Sequence, residues 1–464
     1  MIYPTSEEAL DFKALQLQFP DQYKLVFPDR LAKKTVIIIP SLTFDQEILQ
    51  KIDGIIYYEE RMLCLLMLLR MPHTHVIYVT SMPVHNIIMD YYLHLLPGIT
   101  SYHAKKRLTM LSCFDPSPKS LTEKILERPR LIERIKKSIP DNHTAHLACF
   151  NVTEAERQLA VKLQVPIYGC NPDLLYLGTK SYSKKIFREC NVLTPEGFED
   201  CRTEEHLIQS LVLLKNHLQY NLKMVARNLS YHSYLKKLSL MGGIAEVFLE
   251  AQLMAFPSVQ CRITPVGEVE IISTHDQVLG GDNGQVFLGA SFPADREYAA
   301  AIGSRAAQIA IKLQTLGVIG RFGIDFISVK QNGAWIHYAS EINLRKGGTT
   351  HPYLMLQYLT DGNYNADTGI YTAANGQQCY YFFSDNLQSE NYKGLTPHDL
   401  IEITIVNNLL YDSSNHEGVM FHMIGALSQY GKMGILCIAS SPEKTIELYN
   451  KTIAVLEKEK QSGK

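Results

Sequence analysis

Residues 320–353, GRFGIDFISVKQNGAWIHYASEINLRKGGTTHPY, constrain the fold more than any other stretch of the chain. An apolar run, Phe322-Gly-Ile-Asp-Phe-Ile-Ser-Val329, predicts a strand. Gln331-Asn-Gly333 predicts a turn, and residues 335–343 predict the returning strand of a hairpin. Glu341 and Asn343 are two residues apart, so on a strand both side chains leave one face. Asp325 reaches that face if the loop has an odd residue count. A three-residue loop with Gly333 in the left-handed position of a bulged turn supplies it. Position 323 is then expected opposite 341, with Asp325 one diagonal step away. Two carboxylates and an amide make an all-oxygen cluster of the kind that holds Mg²⁺ with its waters and substrate phosphates. Arg345, Lys346 and Gly347-Gly348-Thr-Thr350 follow at once, leading into a helix N-terminus where anions are favoured. Glu-x-Asn alone reads better as a solvated hairpin edge; the combination with Asp325, the basic pair and the glycines reverses that reading.

A chain of 464 residues can build two to four domains with real cores. With 45 Lys+Arg against 47 Asp+Glu, the net charge of −2 offers no footprint for nucleic acid or an anionic membrane. The acidic N-terminal segment lacks a signal-peptide core, and the longest apolar run, residues 62–69, is too short to span a bilayer. Nine cysteines without CxxC spacing read as structural thiols and not as a zinc site, which suits a cytoplasmic protein. A homodimer is the commonest outcome for soluble homo-oligomers, and the motifs do not fix the oligomeric state.

Residues 1–172 alternate strand-like segments (36–40, 75–81, 146–151 and 166–169) with helix-like ones, predicting an open βαβ sheet. No G-x-G-x-x-G follows any strand, so a dinucleotide site is disfavoured. Lys180 stands at a helix start, where its charge and the helix N–H groups can meet a phosphate. Lys184, Lys185 and Arg188 read as a solvated face. Residues 242–251 predict a strand carrying Glu246, Phe248 and Glu250, and residues 280–285 a loop with three glycines. Residues 391–464 predict a smaller α+β unit, in which His422 reads as a core or surface residue.

These features resemble the ATP-grasp superfamily, and more narrowly the pheganomycin-type peptide ligases with their pre-ATP-grasp domain. The resemblance rests on Tyr57-Tyr-Glu-Glu-Arg61, Gly178-Thr-Lys-Ser181, Ser273-Thr-His-Asp-Gln-Val-Leu-Gly-Gly281, Gly320-Arg-Phe-Gly-Ile-Asp-Phe326, residues 341–352 and residues 418–427, and so covers nearly the whole chain. It implies an α/β pre-ATP-grasp domain (1–172), an ATP-grasp domain of two α+β subdomains (173–390) and a small C-terminal α+β domain (391–464). It implies ATP and Mg²⁺ as cofactors and a carboxylate–amine ligation through an acyl phosphate, with a small carboxylate and an amino acid or peptide amine as substrates. By the same resemblance Asp325, Glu341 and Asn343 hold the metal, and Lys180 reaches the phosphates. Glu246, Phe248 and Glu250 form the adenine-side hinge, and Arg345 or the Gly347 and Gly348 amides stabilise the oxyanion. Arg262, His275 and Arg321 are expected to face the carboxylate substrate. The chain departs from the family at Arg227, which stands where ATP-grasp ligases carry a second lysine, before a loop here poor in glycine. That departure keeps two alternatives open: a catalytically impaired nucleotide- or partner-binding protein, and an ATP-grasp kinase.

Overall fold

The computed structural model describes residues 6–43, 49, 51–215, 231–280 and 286–462. An N-terminal sheet contains β1 (Lys34–Ile39), β2 (Thr74–Thr80), β3 (Leu108–Ser112) and β4 (Ala145–Cys149), in the order β3-β2-β1-β4. All its pairings are parallel, as the buried Val/Ile runs require. The sequence pattern missed β3, whose residues are all only half-buried. Residues 166–169 contribute only a single parallel bridge, Leu147 to Ile167. Ser120 and Thr153 close the expected capping boxes, and Pro129 begins a separate helix, Pro129–Lys137. The apolar run around residue 62 is wound as a 3-10 helix, Ile55–Arg70. With three residues per turn, Leu63, Leu66 and Leu69 stack on one buried line.

A small two-stranded unit follows, β5 (Gly197–Cys201) antiparallel to β6 (Gly243–Glu246) and packed against the helix Glu204–Lys215. Next come β7 (Met254–Ala255), β8 (Pro257–Ile263), β9 (Val269–Gly280), β10 (Val286–Phe292), β11 (Gly320–Gln331) and β12 (Ala334–Asn343). A two-stranded ribbon of β13 (Asn363–Asn365) and β14 (Ile370–Thr372) leads to β15 (Tyr380–Gln388), β16 (Gly418–His422) and β17 (Lys432–Ala439). The large sheet is antiparallel, in the order β12-β11-β8-β9-β10-β15-β17-β16, with β7 beside β11. It therefore runs across residue 390 without a break, because β15 pairs with β17.

The large sheet is buried on both faces. The helix Ala299–Thr315 covers Val259, Cys261, Phe322 and Ile324 on one side. On the other, a core joins Ile272 and Phe292 of the sheet to Leu63 and Leu66 of the 3-10 helix and to Val36 of the N-terminal sheet. At Gly320 (φ 95°) an added Cβ would sit 2.8 Å from the Gly169 Cα, so β11 meets the end of the N-terminal domain backbone to backbone. No helix among the described residues is long and apolar enough to cross a membrane.

Candidate active site

The hairpin of β11 and β12 brings the three expected metal-binding residues together, by a different register from the expected one. Asn332 (φ 51°) and Gly333 (φ 80°) both take the left-handed region, so the turn has two residues and is of the I′ kind. Pairing from Gln331–Ala334 to Phe326–Ala339 would then set Asp325 opposite Ser340, on the wrong face from Glu341. A bulge between Asp325 and Phe326 corrects this. Asp325 lies directly opposite Glu341, and Gly323 opposite Asn343. Asn343 Nδ2 donates to Asp325 Oδ2 (2.9 Å) and to Glu341 Oε1 (3.0 Å), and Gln277 Nε2 donates to Asp325 Oδ1 (3.1 Å).

Charge is arranged around this trio. Lys180 begins the helix Lys180–Glu189 and reaches Glu341 Oε2 at 2.9 Å, its side chain still half-exposed. Burial raises the Glu341 carboxyl, but Lys180 and Asn343 outweigh it and hold the group below its ordinary range. Burial and the facing Glu341 push Asp325 up to about 6. Burial lowers the Arg345 guanidinium, which Glu341 and Asp325 partly offset. Two carboxylates held side by side, one of them costly to ionise, form a donor set that a hard divalent cation would complete; the residues present fit Mg²⁺. Lys180→Met should weaken MgADP binding about tenfold, read by titration calorimetry, the loss expected for one charge-assisted contact to a phosphate.

The pH dependence follows. Burial raises Glu59 to about 7, Glu60 to about 8, and Asp276 and Asp325 to about 6. A carboxyl whose folded-state pKa is raised lends stability at low pH and loses it as pH climbs through that value. The ligand-free protein should thus melt at a lower temperature at pH 8 than at pH 5.5. Mg²⁺ with ADP should restore part of the loss, since the metal favours ionised Asp325.

Beyond β12 the chain turns sharply, Arg345 N donating to Asn343 O (2.7 Å) and Gly347 N to Thr350 Oγ1 (3.0 Å), into the helix Thr350–Thr360. An added Cβ on Gly347 would lie 3.9 Å from Gln260 Nε2, and one on Gly348 3.1 Å from Phe287 Cε1. Behind them is a buried cluster that sequence reasoning missed. Asp385 accepts from Arg61 (2.7 Å) through Oδ2 and from His422 Nε2 (2.6 Å) through Oδ1, and His351 Nε2 lies 3.1 Å from His422 Nε2. His351 is also hydrogen-bonded to the Gly348 backbone, and an added Cβ on Gly348 would lie 3.6 Å from Asp385 Oδ2. His351, Asp385 and His422 could in principle hold a cation. Arg61 already neutralises the one carboxylate, and Arg345 carries a further positive charge close to Arg61. The cluster is better suited to bracing the glycine loop. His422, expected as core or surface, is a core residue with this added contact. It fits because Gly434 has no side chain: a Cβ there would fall 1.9 Å from His422 Nε2. Gly434→Ala should cost about 2–4 kcal/mol in denaturant unfolding.

On the opposite wall, Glu246 ends β6 and the chain leaves the sheet at once. Residues 247–250 are irregular, Phe248 is 68% exposed and Glu250 is exposed, where a strand to residue 251 had been expected. Glu246, Phe248 and Glu250, expected as the hinge, thus lie where the chain leaves β6. Lys184 is a correction. Expected on a solvated face with Lys185 and Arg188, it is fully buried, bonding Glu246 Oε2 (2.8 Å) and Pro195 O (2.7 Å). It lies on the buried stripe of Ser183, Ile186 and Phe187, a signal that was readable. His275 is the second correction. Expected to face substrate, it is fully buried, bonds the Tyr381 hydroxyl, and packs on Phe292. Burial lowers its pKa to about 3. Arg262 and Arg321 sit side by side on β8 and β11 and line a cavity. Arg227, residues 281–285 and the strand expected at 223–228 lie outside the described residues.

A family model described as "IQCH-like, ATP-grasp" matches residues 212–367, and one described as "PGM1 C-terminal domain" matches residues 399–452. The chain has the ATP-grasp fold. The N5-carboxyaminoimidazole ribonucleotide synthetase in its ADP complex superposes on this chain with a TM-score of 0.51 at 14% identity, covering 92% of this chain and 98% of that one. The biotin carboxylase–β,γ-ATP complex from Campylobacter jejuni gives 0.53 at 13% identity, over 89% of each chain. In sequence, the chain is 27% identical over 449 residues to an L-propargylglycine–L-glutamate ligase of Streptantibioticus cattleyicolor, covering 88% of this chain and 91% of that protein. It is 28% identical over 205 residues to the IQ motif-containing protein H of Danio rerio, of whose length it spans 19%.

Proposed function

We propose that this ATP-grasp protein is an ATP-dependent carboxylate–amine ligase. One observation carries the reading: Asp325, Glu341 and Asn343 form a single acidic trio with Lys180 on one side and the Arg345–Gly348 loop on the other. The likeness over nearly full length to a protein named as a ligase joining two amino acids supports it. Asp325, Glu341 and Asn343 would hold Mg²⁺, which when bound neutralises charge on the nucleotide phosphates. Lys180 binds a phosphate oxygen, and Glu246, Phe248 and Glu250 frame the adenosine. An oxygen of the acid substrate attacks the γ-phosphorus and the bond to ADP breaks, leaving an acyl phosphate. The amine nitrogen then attacks the acyl carbon, the C–N bond forms, and phosphate departs with its C–O bond broken as the nitrogen sheds a proton. Arg345 and the Gly347 and Gly348 amides stabilise the oxyanion of that second step. We keep residues 1–172, 173–390 and 391–464 as the proposed domains of this enzyme, the last two sharing one sheet.

Hydroxylamine tests the intermediate without knowledge of the amine. With MgATP and pooled carboxylic and amino acids, hydroxamate should accumulate in step with ADP. A stable phosphorylated product and no hydroxamate would favour a kinase. Nucleotide binding without ADP release would favour a binding protein.

A further inference from the structure

A cavity of about 400 Å³ lies between the N-terminal domain and the exposed ends of β8 and β11. Arg30, Lys34 and Arg70 line it from one side, and Arg262, Arg321 and Lys346 from the other. Its one lining carboxylate, Asp361, is taken by both Arg30 (2.9 Å) and Arg70 (2.6 Å). Glu270 is bonded to Arg262. Arg321, Lys34 and Lys346 have no carboxylate within ion-pair distance among the described residues. Lys34 Nζ bonds the Val26 carbonyl (3.3 Å) and Lys346 Nζ the Cys149 carbonyl. Arg321 lies directly opposite Arg262 in the strand register, with Tyr168, Tyr353 and Tyr358 around it. Burial pushes Lys346 down to about 8, and burial with Arg262 lowers Arg321. His146, lowered by burial to about 3, adds no charge.

With Asp29, which acts on Lys34 from beyond ion-pair distance, six basic groups meet three acids and leave about three positive charges facing the cavity at neutral pH. Like charges gathered away from water are costly unless a counter-charge joins them. Arg321 and Lys346 have no such carboxylate among the described residues, so a ligand is the natural source of their counter-charge. The number of uncompensated groups on both walls calls for more than one anionic group. Lys346, with Leu65 and Leu354, also lines a narrow crevice along Gly347, Thr350 and His351, so the cavity and the glycine loop lie on either side of these residues.

We propose that this cavity holds the remote anionic groups of the acid substrate, so that the substrate is a small molecule with at least two anionic groups, a dicarboxylate or a phosphorylated carboxylate. This rests on the ligase reading for the word substrate, and on the cavity alone for the binding. The N-terminal domain thereby becomes part of substrate selection through Arg30, Lys34 and Arg70.

Titration calorimetry on the full chain tests it with glutarate, citrate and 3-phosphoglycerate as dianion probes, and butyrate and inorganic phosphate as controls. A dicarboxylate or the phosphorylated acid should bind at least tenfold more tightly than butyrate, and which of them binds tells the two chemistries apart. Arg321→Met and, separately, Lys34→Met should each weaken that binding at least tenfold with MgADP affinity unchanged, which also shows that the variants are folded. No binding by any dianion, unaltered binding in both variants, or inorganic phosphate binding as tightly as the best probe would overturn the proposal. Dianion binding with no ATP turnover would uphold this site while sinking the ligase reading. Turnover of monocarboxylates with no dianion binding would do the reverse.

Discussion

Glu341→Gln should reduce ATP-dependent turnover on the order of 10³-fold or more while leaving the fold intact. Glutamine keeps the shape and can still accept from Asn343 Nδ2, so the hairpin register survives. What disappears is the charge that faces Lys180 at 2.9 Å and lies directly opposite Asp325. Because Glu341 helps raise Asp325, the substitution should also move the Asp325 carboxyl down towards its ordinary range. Steady-state rates at saturating MgATP check the first effect. The pH dependence of melting in the ligand-free variant checks the second, with a smaller loss between pH 5.5 and pH 7 than in the native chain. Retained turnover would contradict the metal assignment.

Asp385→Asn should be the most damaging change to stability, about 3–5 kcal/mol, because it removes the counter-charge of a buried arginine. The Arg61 side chain is 13% exposed and the Asp385 side chain 8%. Burial raises the Asp385 carboxyl, but Arg61 and His422 outweigh it and hold the group well below the usual carboxylate range. A depressed carboxylate lends stability above its unfolded pKa and loses it only as pH falls through the folded one, so the native pair persists into strong acid. Asparagine matches aspartate in size, which isolates charge from packing. Urea unfolding of native and variant chains, with the slope unchanged, measures the cost. A change under 1 kcal/mol would mean that Arg61 and the two histidines do not depend on this carboxylate. Loosening of Gly348 should accompany the loss, since His351, which His422 links to Asp385, is hydrogen-bonded to its backbone.

The two predictions concern residues of very different visibility. Glu341 and Asn343 were legible because strand period places i and i+2 on one face. Asp325 was placed on that face for an incomplete reason: Asn332 also adopts positive φ, which shortens the loop to two residues, and the bulge beside Phe326 restores the alignment. Asn is tolerant of that conformation, so the Asn-Gly pair carried the turn signal, while nothing local announced the bulge. Asp385 had no local signal either. It sits at an irregularity of β15 between Ser384 and Leu387, and its partners come from the 3-10 helix, the helix Thr350–Thr360 and the end of β16. Such a cluster is tertiary by nature. Three of the segments that carried the family resemblance, 57–61, 341–352 and 418–427, each supply it one residue, namely Arg61, His351 and His422. His275 was misplaced for the opposite reason. Ser258 faces it across β8 and β9, but strand alternation alone does not tell an open face from one sealed by Phe292 and Tyr381.

Lys184 shows a different weakness. Three basic residues in a short helix were averaged into one solvated face, although Lys184 shares its stripe with Phe187, three residues on. The buried lysine couples the helix Lys180–Glu189 to Glu246 at the end of β6.

The most direct test of the central claim is a single incubation of the purified chain with MgATP and a pool of amino acids and short peptides, followed by mass spectrometry and phosphate release. The account predicts ADP and phosphate in equal amounts, matched by a product whose mass equals two pool members less one water. ATP consumed without any condensed product, or ATP bound and never consumed under any pool, would contradict it.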